Sequence, residues 1–310
     1  MQLKAIAISL TALTVYAIHD ALIKYVSSSL SVIQIVFFTA IFTFPLVSLW
    51  LVGTRQLPTL RPNNPKVVTF RSFSYVVIVV AAFYGFQTLP LAQAYALLFT
   101  TPMMVTALSA PMLAEKVKPL QWVAIVVGFA GVLWVLQPSA QPVSLGHIAA
   151  LTAAVLSAIN AVLVRKLGDT EHPVVLLLFP LIATAGSLMF VLPFVYEPMS
   201  ITELGITGVI AALSLIAGYL TIVGYKLGQA AVIAPMQYSQ IIWGVLFGLI
   251  FFGEVPQSHT FVGGAVVIGS GIFLVMSSKS GSAVQEEIGR RTTQTARLST
   301  FLRRTLRDKF

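Results

Sequence analysis

The chain has no cysteine and very little charge: only 9% of its 310 residues are Asp, Glu, Lys or Arg, against about a quarter in a typical soluble domain. Lack of cysteine excludes a disulfide framework, thiol catalysis, iron–sulfur clusters and cysteine-ligated zinc. Lack of charge leaves no polar shell with which a fold of this length could face water. Acidic residues are outnumbered, 10 against 19 basic ones, and there are four histidines. His19, His147, His172 and His259 are scattered along the chain, and Asp20 alone is acidic deep within an apolar run, so no zinc set is expected. No Walker-type glycine loop is present, so no nucleotide hydrolysis and no cofactor are expected.

What the chain has instead is apolar surface, with 57% hydrophobic residues and a mean hydropathy of +0.90. A helix that crosses a bilayer needs about 20 apolar residues. Ten such stretches are legible, at 4–26, 31–53, 68–88, 91–114, 119–137, 145–166, 173–196, 203–226, 229–252 and 258–278. The joining segments are short, and only the tail after Ser278 stands apart. The expectation is an all-α membrane protein of ten transmembrane helices. The first stretch, Ala5 to Val26, is long enough to span and reads as a retained helix rather than a cleaved signal.

Basic residues fall on one side of this arrangement: Lys4, Arg55, Arg61, Lys66, Arg71, Lys116, Lys118, Arg165, Lys166, Lys226 and the tail. Lys24 alone lies on the other side, where the loops carry Glu197, Glu203 and Glu254. Cytoplasmic loops retain Lys and Arg, so both termini are expected in the cytoplasm, with the protein in the inner (plasma) membrane. The net charge of +9 is then a topology signal, since no folded basic groove exists to track phosphates. Expected partners are a small-molecule substrate and membrane lipids, with no nucleic acid and a monomer or homodimer as the functional unit.

An internal repeat is the most informative pattern. Leu10-Thr11-Ala12, then Ala17-Ile18-His19, Leu22 and Lys24, aligns with Leu151-Thr152-Ala153, then Ala158-Ile159-Asn160, Leu163 and Arg165. Leu91-Ala92-Gln93-Ala94, running to Glu115 and Gly131, aligns with Gly228-Gln229-Ala230-Ala231, running to Glu254 and Gly271. Apolar helices share a small alphabet, so chance similarity is an alternative, but agreement at two places in register with the span count argues against it. Five spans per copy is an odd number, which forces the copies to insert oppositely. The expected organisation is two inverted five-helix repeats, 1–140 and 141–278, followed by a basic cytoplasmic tail, 279–310. Inverted repeats place a substrate near the midplane between halves that exchange conformations.

The ten-span pattern, Pro90-Leu91-Ala92-Gln93-Ala94 at the opening of helix four, and Glu115 and Glu254 closing helices four and nine resemble the drug/metabolite transporter superfamily in its EamA-type ten-helix form. The resemblance covers nearly the whole chain up to the tail. Within it, His19-Asp20 with Lys24, the Phe37-Phe38 pair and Ala234-Pro235 before Tyr238 resemble the subgroup of bacterial S-adenosylmethionine and riboflavin carriers. Some of those relatives have arginines where this chain has Thr39 and Gln237, so the resemblance does not transfer a substrate. It implies a secondary carrier of small polar or zwitterionic metabolites, not an enzyme, working by alternating access.

Ionisable groups within a span are functional candidates because hydrocarbon penalises them. His19, Asp20 and Lys24 form the main set. Asp20 and Lys24, four residues apart, share a helix face where an ion pair is expected; the alternative is packing, with Lys24 reaching to the headgroups. His19 reads either as a proton carrier or as a neutral core histidine, and its repeat mate Asn160 does not titrate. In helix nine Pro235 frees a carbonyl one turn earlier, with Gln237, Tyr238 and Gln240 following, which marks a substrate wall. Pro102, flanked by Thr100 and Thr101, is the counterpart in helix four. Tyr84, Tyr95, Tyr219 and Tyr238 offer flat faces and hydroxyls to a substrate, although packing explains aromatic residues equally well. Arg71 reads as a headgroup contact, and Gly128 with Gly131, Gly244 with Gly248 and Gly269 with Gly271 as close helix contacts. In the tail, Leu298, Phe301, Leu302 and Leu306 form one stripe of a cationic helix suited to the inner leaflet; disorder is the alternative for its first half. Two other function classes are open to the sequence: a membrane-embedded enzyme of lipid metabolism, for which no acidic or histidine cluster is evident, and a helix bundle without transport.

Overall fold

The structure is a computed structural model and describes residues 2–53, 61–115, 117–137, 142–167, 170–171, 173–227, 233–274 and 276–277. The basic tail, Arg55, Lys116, His172 and the Gly228-to-Ala231 segment of the repeat lie outside the described residues.

In hydrocarbon every backbone donor and acceptor must be satisfied within the protein, so long apolar runs become helices. The described chain is accordingly helical throughout. In chain order the spans are α1 (Gln2–Val26), α2 (Val32–Gly53), α3 (Pro65–Thr88), α4 (Leu91–Leu98 and Thr101–Leu113), α5 (Pro119–Leu136), α6 (Leu145–Leu167), α7 (Pro173–Val195) and α8 (Ile201–Leu227). Next comes α9, a 3₁₀ turn at Ala234–Tyr238 leading into Ser239–Phe252, and then α10 (Ser258–Leu274). Seven of these ten helices are long and apolar enough to cross a membrane by themselves, and the others are shorter apolar helices among the described residues.

Prolines set the breaks. Pro102 has no N–H to give the Leu98 carbonyl, and the Thr101 hydroxyl donates to that carbonyl instead at 2.7 Å, so α4 turns at Phe99–Thr100 without leaving a buried acceptor unpaired. Ends are set by left-handed residues: α4 stops at Ala114 (φ 54°) and α9 at Gly253 (φ 64°). In both, the following glutamate turns its N–H back to a carbonyl six residues earlier, Glu115 to Ser109 and Glu254 to Gly248. These ends fall at matching points of the two repeats.

The packing follows the same exchange of helix n with helix n+5. The closest pairs are α1 on α8 and α3 on α6; α2 lies against α7 and α8, α7 against α2 and α3, and α4 against α9. Each half is thereby threaded through the other. α5 and α10 meet through glycines, since a Cβ on Gly263 would stand 2.6 Å from the Gly131 carbonyl oxygen. Of the small-residue pairs read from the sequence, Gly269 faces open space. Exposed Val126, Leu133, Phe190, Phe194, Ile250 and Phe251 clothe the outside of the bundle, as a lipid-facing surface requires.

Candidate functional site

Asp20 is buried three-quarters of the way along α1, and its two oxygens take different partners. His19 Nδ1 lies 2.8 Å from Oδ1, and Tyr95 of α4 donates its hydroxyl to Oδ2 at 2.7 Å. The His19 ring meets Tyr16 and Phe83 edge-on, with centroids 6.3 and 6.0 Å away. A carboxylate in an apolar bundle needs such donors, and here they come from two helices of one half. Tyr95 opens an aromatic ladder: Phe86 at 5.6 Å, Phe99 stacked at 5.8 Å, and Tyr238 of α9 edge-on to Phe99 at 5.3 Å.

Lys24 corrects the expected Asp20–Lys24 ion pair. Its ammonium lies 2.7 Å from Glu254 Oε1 and donates to the carbonyls of Phe86 at 3.1 Å and Leu89 at 2.5 Å. The end of α3 presents carbonyls with no helical partner, and a cation there satisfies them and the helix dipole together. From the sequence Glu254 reads as an outer-loop acid that closes helix nine as Glu115 closes helix four, with no partner assigned. The signal for its role was its position beside a left-handed helix end, matched by Glu115 in the other repeat.

Arg71 corrects the expected headgroup contact. Pro180 of α7 has no N–H for the Leu176 carbonyl, and Arg71 Nη1 donates to that carbonyl at 2.7 Å. Its Nε is buried with no hydrogen-bond partner among the described residues. Asn160 of α6 accepts from the Ser74 hydroxyl at 2.9 Å and its side-chain amide donates to the Arg71 carbonyl at 3.4 Å. The mates His19 and Asn160 are thus placed in different clusters. Tyr16 stands one helical turn before Asp20 on α1, and Tyr75 one turn after Arg71 on α3. Because α1 and α3 pack together, Asp20, Tyr16, Tyr75 and Arg71 make up a line of polar residues along the two helices, a polar lane. Tyr16 lies outside the residues singled out from sequence, although its spacing four before Asp20 was the available clue.

The remaining candidates divide. Tyr84 is half-buried against the core below the Lys24 end, while Gln237 and Gln240 are half-buried at the start of α9. Tyr238 is buried, and its hydroxyl points into the notch at Gly271 with no hydrogen-bond partner among the described residues. Tyr219, expected to offer a flat face and a hydroxyl to a substrate, is 58% exposed on one stripe of α8 with Ile216 and Ile222. Among the described residues no three His, Asp or Glu side chains gather as a metal site requires.

The sequence profile of the EamA-like transporter family matches residues 3–137 and again residues 144–277. The chain belongs to the EamA-like transporter family. Among its similar EamA-type relatives, a riboflavin transporter of Rhizobium johnstonii is 28% identical over 62% of this chain, spanning 64% of that protein, just under two thirds of its length. A pseudopaline exporter of Pseudomonas aeruginosa is 26% identical over 85% of this chain and 93% of its own. An S-adenosylmethionine uptake transporter of Rickettsia bellii is 24% identical over 84% and 89%. A solved crystal structure superposes with a TM-score of 0.59 at 18% identity, over 87% of this chain and 96% of the other, which shows a shared fold. The family match and the apolar helices together make this a multi-pass membrane protein of a transporter family.

Proposed function

We propose that this chain is a secondary carrier of small polar or zwitterionic organic metabolites that works by alternating access and performs no covalent chemistry. The observation that supports this reading best is the depth of the polar lane. The rings of His19 and Phe83 touch, which sets α1 and α3 level at those residues. At 1.5 Å per residue, Asp20 and Arg71 are then about 20 Å apart along the bundle, against a hydrocarbon core about 30 Å thick. An isolated stabilising pair needs no such extent. A path for a polar solute does, and its opposite ends carry an acid and a base while the tyrosines between them offer hydroxyls and faces.

The relatives named for riboflavin, S-adenosylmethionine and pseudopaline support an organic metabolite as cargo. The basic loops support an inner-membrane orientation with both termini in the cytoplasm. The same reading divides the chain into repeats 1–140 and 141–278, with the tail 279–310 against the inner leaflet. The membrane lipids and the solute are its partners, with the chain acting as a monomer or homodimer.

The test is counterflow in proteoliposomes, with riboflavin, S-adenosylmethionine and a panel of amino acids and amines. Saturable exchange of at least one solute, lost in Asp20→Asn, is the expected result. Folded protein that exchanges nothing across the panel overturns the reading.

A further inference from the structure

One carboxylate and one ammonium tie together four helix ends at the mouth of the polar lane. Glu254, just past α9, spends one oxygen on Lys24 of α1 at 2.7 Å and the other on the N–H of Leu91, the first residue of α4, at 3.0 Å. Lys24 spends its remaining protons on the last carbonyls of α3, at Phe86 and Leu89. Both side chains are largely buried, at 11% and 17% exposure. Asp20 lies one helical turn below Lys24, and Tyr95 one turn beyond Leu91, so the ion pair stands directly over the His19–Asp20–Tyr95 cluster.

Lys24, Leu91, Phe86 and Leu89 belong to the first repeat, while Glu254 and Phe252, whose ring centroid lies 5.6 Å from the Lys24 ammonium, come from the second. Parting α9 from α1, α3 and α4 at this end therefore means breaking one ion pair, one N–H bond and one cation–π contact, and little else polar among the described residues. We propose that Lys24 and Glu254 are the gate at this mouth: their ion pair holds the lane shut here, and its rupture opens the lane on this side. They are positioning residues of the transport cycle and not substrate ligands, which also moves Lys24 out of the substrate-binding set. The inference rests on the carrier reading.

The pair suits a gate because its strength depends on company. With water excluded, the two charges hold each other and two helix termini; with water admitted, each regains solvation and the attraction falls steeply. Small changes in the packing of α9 thereby switch the mouth between two states.

The absence of native cysteine makes the test direct. Phe83→Cys places a thiol beside His19, below the ion pair, and a membrane-impermeant maleimide is applied to either face of sealed vesicles. With the gate intact, labelling from the Lys24 side is expected to be slow. Glu254→Gln, which keeps an acceptor for Leu91 but no charge, is expected to speed it at least tenfold, while Lys24→Arg keeps it slow. The double variant Lys24→Met with Glu254→Gln removes both charges and leaves no unpaired buried charge, at the cost of the donor to the α3 carbonyls, so it reads the gate even where a single change impairs folding. A monodisperse double variant that labels as slowly as the parent overturns the gate. Labelling needs no solute, so rapid labelling of the variants with no exchange of any solute overturns the carrier reading alone. Exchange with unchanged labelling overturns the gate alone.

Discussion

Tyr95 donates to Asp20 across 2.7 Å, joining the broken helix to the one buried acid of the described spans. Hydrogen bonds to charged groups contribute about 1.5–3 kcal/mol, and losing one inside the bundle leaves the acceptor under-satisfied. Tyr95→Phe keeps the ring stacked on Phe99 and removes only the hydroxyl. It is expected to lower stability by about 1–3 kcal/mol and to reduce flux, read by thermal unfolding in detergent and by counterflow.

Asp20→Asn keeps shape and removes charge, so it separates binding from packing. Flux is expected to fall at least tenfold while the protein still reaches the membrane and elutes as one species. Flux within twofold of the parent would put Asp20 outside the path.

Pro180→Ala restores an N–H for the Leu176 carbonyl and competes with Arg71 for it. A helix-interior proline costs about 3 kcal/mol relative to alanine. The variant is therefore expected to melt at an equal or higher temperature, yet to transport at less than half the parent rate because the guanidinium has lost its anchor. Loss of stability together with unaltered flux would refute this account of the bend.

Gly263→Ala drives a methyl group into the backbone of α5, 2.6 Å from the Gly131 oxygen and 2.9 Å from the Val135 nitrogen. Backbone cannot rotate away, so a loss of about 1–3 kcal/mol is expected. Gly269→Ala meets nothing within 4 Å and gains helix propensity of about 1 kcal/mol. The paired melting curves should move in opposite directions.

Tyr219→Phe removes a hydroxyl from an exposed stripe of α8. Transport and melting temperature are expected to match the parent, and a twofold or larger change in flux would return Tyr219 to the substrate path.

Much of the fold was legible because hydrocarbon is a stern solvent. It demands helices of about 20 apolar residues, and it made Asp20 conspicuous as a buried acid. The partners were less legible. Local spacing suggested Lys24 for Asp20, and the structure gave Lys24 to Glu254, 230 positions away in the chain, because four helix ends converge there. A charge five residues into a helix-opening basic cluster looked like a headgroup contact. Arg71 turns inward because a proline on a different helix leaves a carbonyl unmet, and no periodicity within α3 encodes that vacancy. The faces on which Tyr219 and Tyr16 lie were not legible for one reason: the apolar pattern of α8 and α1 is only weakly one-sided, and which face meets a neighbour is decided by the neighbour.

The threading of each half through the other also bears on how the protein is made. α1 finds its main companion in α8 and α3 finds its in α6, so the first five helices leave the translocon before their mates exist. During that interval Lys24 has no Glu254, and Arg71 has no Leu176 to hold. A nascent chain paused at the midpoint presents unpaired charge to lipid, where hydrocarbon penalises it until the second half arrives.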